Sequence, residues 1–361
     1  MKNWTKRRVI FFIITLSPSL LFPEIIKLVN KVPLFDPKQV ITYPQFFSVT
    51  EDEVFIVNDT KDHVIRIFNN RGEAQSTWGG EGTGKGAFQG AWWNDYSKPF
   101  FVLYNLRSGL LYVYERVSTT NFVLRDEIPL GKNWSEIDGI AFDNRRIFVD
   151  GPLRIGGIDI SLSFLQISRG AISPLLPAAI RYGLKQGQDY EKVVTAFAAE
   201  FGKPFGFIDI YGDTVYSVWI GEPRITSTNI LTGRWAAFGE LTKNYVPPII
   251  HYINPHEFQS GPSWRKEDYS WIQGVFADKR CVGLLFINFD KDANAWRAFL
   301  QLYTPGGKFL KEAKVPEYLG YMMRLRYFYD QEQGFLYILK DDKGTIGNSK
   351  YEILKFRINI E

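Results

Sequence analysis

Short apolar runs with period-two alternation, broken by charged or glycine-bearing turns, recur along the chain from Tyr43 onward. In the stretch Tyr43–Trp78, the segments FFSVT, VFIVN, VIRIF and AQSTW have strand length, and TKD and NNRG separate them as turns. The fourth segment is the most polar, as an outer strand is. Four such strands in succession predict an antiparallel meander, whose faces must be covered by further sheets of the same kind.

The rhythm returns. A second unit reads GAWWNDY, FFVLYN, LLYVYER and FVLRDEIPL, and a third reads DGIAFD, RIFVD, SFLQISRG and AISPLLP. A fourth reads FGFIDIYGD, VYSVWI, STNILTGR and WAAFG, and a fifth reads WIQGVFAD, CVGLLFINFD, WRAFLQLYTPGG and KFLKEAKVP. The last unit has only MMRLRYFYD, FLYILKD and YEILKFRI. Ile25–Phe35, IIKLVNKVPLF, stands ahead of the first unit with nothing else to pair with, so it is expected to pair with Tyr351–Ile358 and close the ring. The pattern predicts an all-β protein: one six-bladed β-propeller domain over residues 23–361, with two partly helical insertions on one face. The insertions, at about 178–204 and 240–270, interrupt the same type of connection, from an outer strand to the next inner strand. Val193, Val194, Phe197 and Phe201 recur at helical spacing in the first. Long loops on a rigid scaffold are where binding residues gather.

Composition narrows the class. Aromatic residues make up 16% of the 361 positions, and aromatics recurring with glycine at hairpin intervals are a propeller cue. The 43 basic and 39 acidic residues leave a formal charge of +4, too near balance for a nucleic-acid partner. Residues 1–22 carry Lys2, Lys6, Arg7 and Arg8 ahead of an apolar run too short to span a bilayer comfortably. They are expected to act as a signal peptide, or as an N-terminal anchor if uncleaved, which places the protein outside the cytoplasm, periplasmic or secreted. Membrane contact is expected only in the anchored case. The lone Cys281 excludes an intramolecular disulfide and a cysteine metal cluster.

Val57–Asn69, VNDTKDHVIRIFN, resembles the core of an NHL-repeat propeller blade, of pattern V-A-D-x-x-N-H-R-I-x-V-F-D. Asp59, His63, Ile65 and Phe68 fall on matching positions and Gly72 follows, while Asp62 and Val64 replace the usual asparagine and arginine. The match is specific to this unit. The resemblance implies a propeller; the family's members range from scaffolds and ligand-binding receptors to sugar-lactone hydrolases and a lyase, so it implies no single activity.

Candidate chemistry is sparse. Gly79–Phe88, GGEGTGKGAF, leads into a strand and lacks a helix start, so it reads as a connection between units and not as a phosphate cradle. His251 and His256, with Glu257, lie on the second insertion, and His63 lies in a turn on the same face. The spacing across Pro255 is not a helical ligand pair, so no metal and no cofactor are expected. Asp290–Asn294, DKDAN, lacks the glycine and closing glutamate of a calcium loop. No Gly-x-Ser-x-Gly elbow occurs.

Cations recur in or beside the turns between second and third strands: Lys61, Arg107, Arg154 and Arg224. Placed radially, they would ring one mouth, where arginine suits carboxylate or phosphate. Arg324 and Arg326, on the inner strand of the last unit, extend the set. With His251 and His256 these are the candidate ligand-binding residues. The expectation is an exported, monomeric binding module that captures a protein, peptide or glycan, anionic in character, on this loop-rich cationic face. The alternative is an extracytoplasmic hydrolase or lyase with a metal in the central channel.

Overall fold

The computed structural model describes residues 24–38, 40–80, 91–105, 107–130, 137, 139–143, 146–155, 158–166, 172–177, 206–219, 222–247, 268–319, 325–342 and 350–360. At 91–92, 152–155, 158–162, 164–166, 172–173, 177 and 342 it describes the backbone alone. Strand β1 (Ile26–Pro33) comes first. A meander of β2 (Pro44–Val49), β3 (Phe55–Asp59), β4 (Val64–Phe68) and β5 (Ala74–Gly79) follows. The second meander comprises β6 (Ala91–Ser97), β7 (Phe100–Asn105), β8 (Leu110–Arg116) and β9 (Phe122–Pro129). The third comprises β10 (Gly139–Phe142), β11 (Arg146–Ile155), β12 (Ile158–Gln166) and β13 (Ile172–Pro177), and the fourth β14 (Gly206–Tyr211), β15 (Thr214–Trp219), β16 (Ile225–Asn229) and β17 (Trp235–Phe238). The fifth is β18 (Trp271–Ala277), β19 (Val282–Asp290), β20 (Ala295–Tyr303) and β21 (Phe309–Tyr318). Last come β22 (Arg326–Asp330), β23 (Phe335–Asp342) and β24 (Lys350–Ile358).

These strands form six four-stranded sheets, and the last has the order β1-β24-β23-β22. Its outer pair is antiparallel, running from Ile26 opposite Ile358 to Pro33 opposite Glu352. The amino-terminal strand therefore supplies the edge that the last three strands lack, as the sequence pattern predicts. The first strands of successive meanders touch in the order β2, β6, β10, β14, β18, β22, and β22 returns to β2. A closed ring of radial sheets about one axis is a β-propeller.

Burial follows this geometry. The middle strands lie between two neighbouring sheets, so β3 is buried at every position and β19 over its first six residues. Outer strands see solvent on one side, and β5 alternates half-buried with exposed along its length. That is why its sequence reads as polar. Val32 and Leu34 pack with Phe335, Tyr337 and Ile353 of the last sheet and Phe47, Val57 and Phe68 of the first, so the segment around β1 also seals the seam between the two.

An ionic cluster ties the leading segment to the first sheet. Arg66 on β4 is fully buried and bonds Asp36 at 3.1 Å, Asp59 at 3.3 Å and Asp62 at 2.7 Å. Asp59, a match to the NHL-like pattern, also accepts the backbone N–H groups of Thr42 at 2.8 Å and Tyr43 at 2.9 Å. His63, another match, sits in the turn with φ of 57°. Here the carboxylate at the pattern position ties two strands and the leading segment together.

No α-helix occurs among the described residues. The insertions expected to be partly helical fall mainly on 178–205 and 248–267, outside those residues. The described start of the second is pinned to the fifth sheet: Asn244 Nδ2 donates to Glu312 at 2.5 Å, and Val246 N donates to Ser270 Oγ at 2.8 Å.

Candidate functional site: a central cavity lined by the inner strands

Each inner strand turns alternate side chains toward the axis, and these enclose a cavity of about 170 Å³. Its lining includes Gln45 and Phe46 from β2, Trp93, Asn94 and Asp95 from β6, Gly139 and Ile140 from β10, and Phe207 and Asp209 from β14. Trp271 and Gln273 from β18 and Arg326, Tyr327 and Phe328 from β22 complete it.

The walls are aromatic. Trp93 lies 4.8 Å from Phe46 and 6.4 Å, edge on, from Phe207, which brings the first, second and fourth sheets into contact across the third. The third contributes Gly139, packed so close to β14 that a Cβ would stand 3.0 Å from the Gly206 carbonyl oxygen. On the other side Tyr327 lies flat against β18. Its hydroxyl accepts from Val275 N at 3.0 Å and donates to Val275 O at 2.8 Å. Gly274 makes the room: a Cβ there would be 2.1 Å from the Tyr327 ring.

Two acids stand at equivalent places, Asp95 one residue before Tyr96 and Asp209 one residue before Ile210. Asp95 accepts N–H bonds from Tyr96 at 2.7 Å and from Phe142 of the next sheet at 3.0 Å. Asp209 accepts from Ile210 at 2.8 Å and from Ala277 of the next sheet at 2.7 Å, and Gln331 Nε2 donates to it at 3.1 Å. Each carboxyl thus stitches its inner strand to the following one. Burial, reinforced by the Asp209 charge, pushes Asp95 up to about 8. Burial likewise lifts Asp209 to about 7 against the pull of its N–H donors. Both groups therefore exchange protons near neutrality.

Arg326 opens β22 and is 4% exposed, its guanidinium 5.8 Å from the Tyr43 ring and 6.0 Å from the Tyr351 ring. Burial pulls its pKa down, while Tyr351 and Asp341 work to keep the charge.

The predicted cationic mouth is distributed differently from this cavity. Lys61 and Arg107 are exposed in their turns, and Arg224 is half-buried just before β16; none of the three lines the cavity. Arg154 lies within β11, its backbone opposite Asp159. Arg324, His251 and His256 lie outside the described residues. Of the candidates, Arg326 alone lines the described cavity. Among the described residues, no group of three or more His, Cys, Asp or Glu side chains is placed to hold a metal ion. Cys281 is buried, and burial pushes its thiol up to about 12, so it is a poor nucleophile.

Asp95 and Asp209 escaped the sequence reading. The signal was there in WNDY and FIDIY, each with an acid inside an inner strand at the same offset from its hairpin.

The fold and cavity define the class, a β-propeller with a side-chain-lined central cavity. Among solved structures, a member of the DUF4221 family from Bacteroides vulgatus superposes with a TM-score of 0.57 at 10% identity, over 93% of this chain and 99% of that one. A protein of Bacteroides fragilis provisionally described as exported gives a TM-score of 0.57 at 11% identity, over 93% and 96% of the two chains. A protein of unknown function from Bacteroides thetaiotaomicron gives 0.51 at 12% identity, over 91% and 75%. These likenesses are of fold. No protein-family model matches the sequence, and no curated protein matches it.

Proposed function

We propose that this protein is an exported binding module that receives a carboxylate-bearing ligand, such as a peptide or glycan end, into its central cavity from the side on which Arg326 lies. The observation that carries the reading is convergence: residues of all six inner strands, mostly apolar with a few polar groups, line one cavity, as in small-ligand sites. A buried arginine at one end supplies a counter-charge for an anion. Lys61 and Arg107 on exposed turns, together with Arg224, would draw such a ligand toward the mouth without holding it. Export is supported by the basic and apolar pattern of residues 1–22 and by the fold shared with the Bacteroides fragilis protein described as exported.

The test is a thermal-shift screen of carboxylate-bearing peptides and acidic sugars, with hits followed by the fluorescence of Trp93 and Trp271. A hit should raise Tm and perturb the cavity tryptophans, and Arg326→Gln should abolish both while the protein remains folded. Hits indifferent to Arg326→Gln and silent in tryptophan fluorescence would place binding elsewhere.

One observation favours a second reading. Asp95 and Asp209 titrate close to neutrality, about 8 and about 7, where a general acid and base work best. A hydrolase or lyase using this pair would lose turnover on Asp95→Asn or Asp209→Asn while still binding substrate.

A further inference from the structure

The two acids make specific demands on whatever fills the cavity. Asp95 and Asp209 already spend their oxygens on backbone N–H groups, and, buried along one cavity, they do not both carry full charge near pH 7 without a cation nearby. The cavity walls suit a cation with an organic body, since Trp93, Phe207 and Trp271 offer ring faces and apolar surface. Two cavity-lining groups beside the acids, Trp93 Nε1 and Asn94 Oδ1, are buried without a hydrogen-bond partner. The positive charge lies at the other end. Arg326 begins β22, whereas Asp95 and Asp209 stand late in β6 and β14. Two to three residues of strand separate the levels, roughly 7–10 Å along the axis.

We propose that the cavity takes a small zwitterion with separated charges, its anionic group at Arg326 and its ammonium beside Asp95 and Asp209, and that binding expels a proton that these acids otherwise hold. This rests on the cavity-binding reading above and adds to it the cationic end, the charge spacing and the proton. The other titratable groups facing the pair leave it as the proton source. Burial holds the phenols of Tyr216 and Tyr327 protonated, and Asp278 is bound to Arg280 at 2.6 Å. The expelled proton passes to solvent, and affinity for the zwitterion rises with pH until both acids ionise without help.

Linear ω-amino acids from glycine to 8-aminooctanoate, with hexylamine and hexanoate as single-charge controls, serve as probes. Calorimetry of the full chain at pH 7, in phosphate and in Tris, reads affinity and proton release together. Binding should peak at the 6- to 8-carbon members, hexylamine and hexanoate should each bind about ten-fold or more weakly than 6-aminohexanoate, and about one proton should be released. Asp209→Asn should reduce 6-aminohexanoate to the affinity of hexanoate and remove the proton release.

Equal binding of hexanoate and 6-aminohexanoate, or zwitterion binding with no difference between buffers, would overturn the proposal and leave the carboxylate-binding reading standing. The buffer comparison needs no variant, so a poorly folding Asp209→Asn protein would not shield the proposal. Failure of every probe, hexanoate included, to bind or to perturb the cavity tryptophans would overturn both.

Discussion

Arg66 Nε and Asp59 Oδ2 are 3.3 Å apart with neither side chain exposed to solvent. Because Asp36 and Asp62 contact the same guanidinium, one arginine bridges three carboxylates contributed by the leading segment and the first sheet. Replacing Arg66 by Leu strands these acids against one another in a poorly solvated place. The expected loss is about 3–5 kcal/mol of stability, read as a shifted urea midpoint, and Arg66→Lys should lose less because the charge remains. A midpoint unmoved by Arg66→Leu would mean that water already solvates the cluster.

Gly274→Ala puts a methyl where the Tyr327 ring stands. The ring must leave β18, and its two hydrogen bonds to Val275 go with it. A loss of about 1–3 kcal/mol is expected. The double change Gly274→Ala with Tyr327→Leu should recover part of it, whereas independent sites would add. Thermal unfolding of the four proteins decides.

Deleting residues through Pro33 removes β1 and leaves the β24 edge bare. The shortened protein should melt lower and aggregate on concentration, since an unpaired edge is a template for other strands. Unchanged melting in calorimetry and a monodisperse profile in light scattering would show that the ring closes without β1.

Asp95 and Asp209 make stability fall as pH rises. Their folded-state pKa values, about 8 and about 7, lie above those of an unfolded carboxyl. Between about pH 4 and pH 8 the native state therefore holds protons that the unfolded state has given up. Their contribution is full below the unfolded value and has been lost by about pH 8. Urea titrations from pH 4.5 to 8.5 should show a decline that flattens in Asp95→Asn and flattens further in the double variant with Asp209→Asn. Parallel slopes for all three proteins would remove these acids as its source.

The architecture was legible because its main determinants are local. FIVND and VIRIF are buried almost throughout and mostly apolar since strands sandwiched between sheets have no wet face, and AQSTW is polar since an outer strand does. The closing role of Ile25–Phe35 was legible for a related reason: a lone strand beside a three-stranded meander has one place to go. The site was less so. Turns between second and third strands lie outward of the inner strand by one to two strand spacings of about 4.8 Å, so Lys61 and Arg107 decorate a rim while Arg326, on an inner strand, reaches the axis. Asp95 and Asp209 line one cavity only because inner strands far apart in sequence share one axis. Neither WNDY nor FIDIY contains that information alone.

The pairing of Ile26 with Ile358 gives this ring a temporal asymmetry. Five sheets can form from neighbouring stretches of chain, but the remaining one joins residues more than 300 apart, and the loop it closes is the molecule itself. Of the ring's strands, β1, the first along the chain, is thus the last to find its partner. In the interval it is a free strand, and its composition suits the wait: Lys27, Asn30 and Lys31 remain exposed even in the finished ring, while Ile26 and Val32 are the residues it buries. Charge on the strand discourages premature pairing with another copy, so the latch of the ring also protects the chain before it latches.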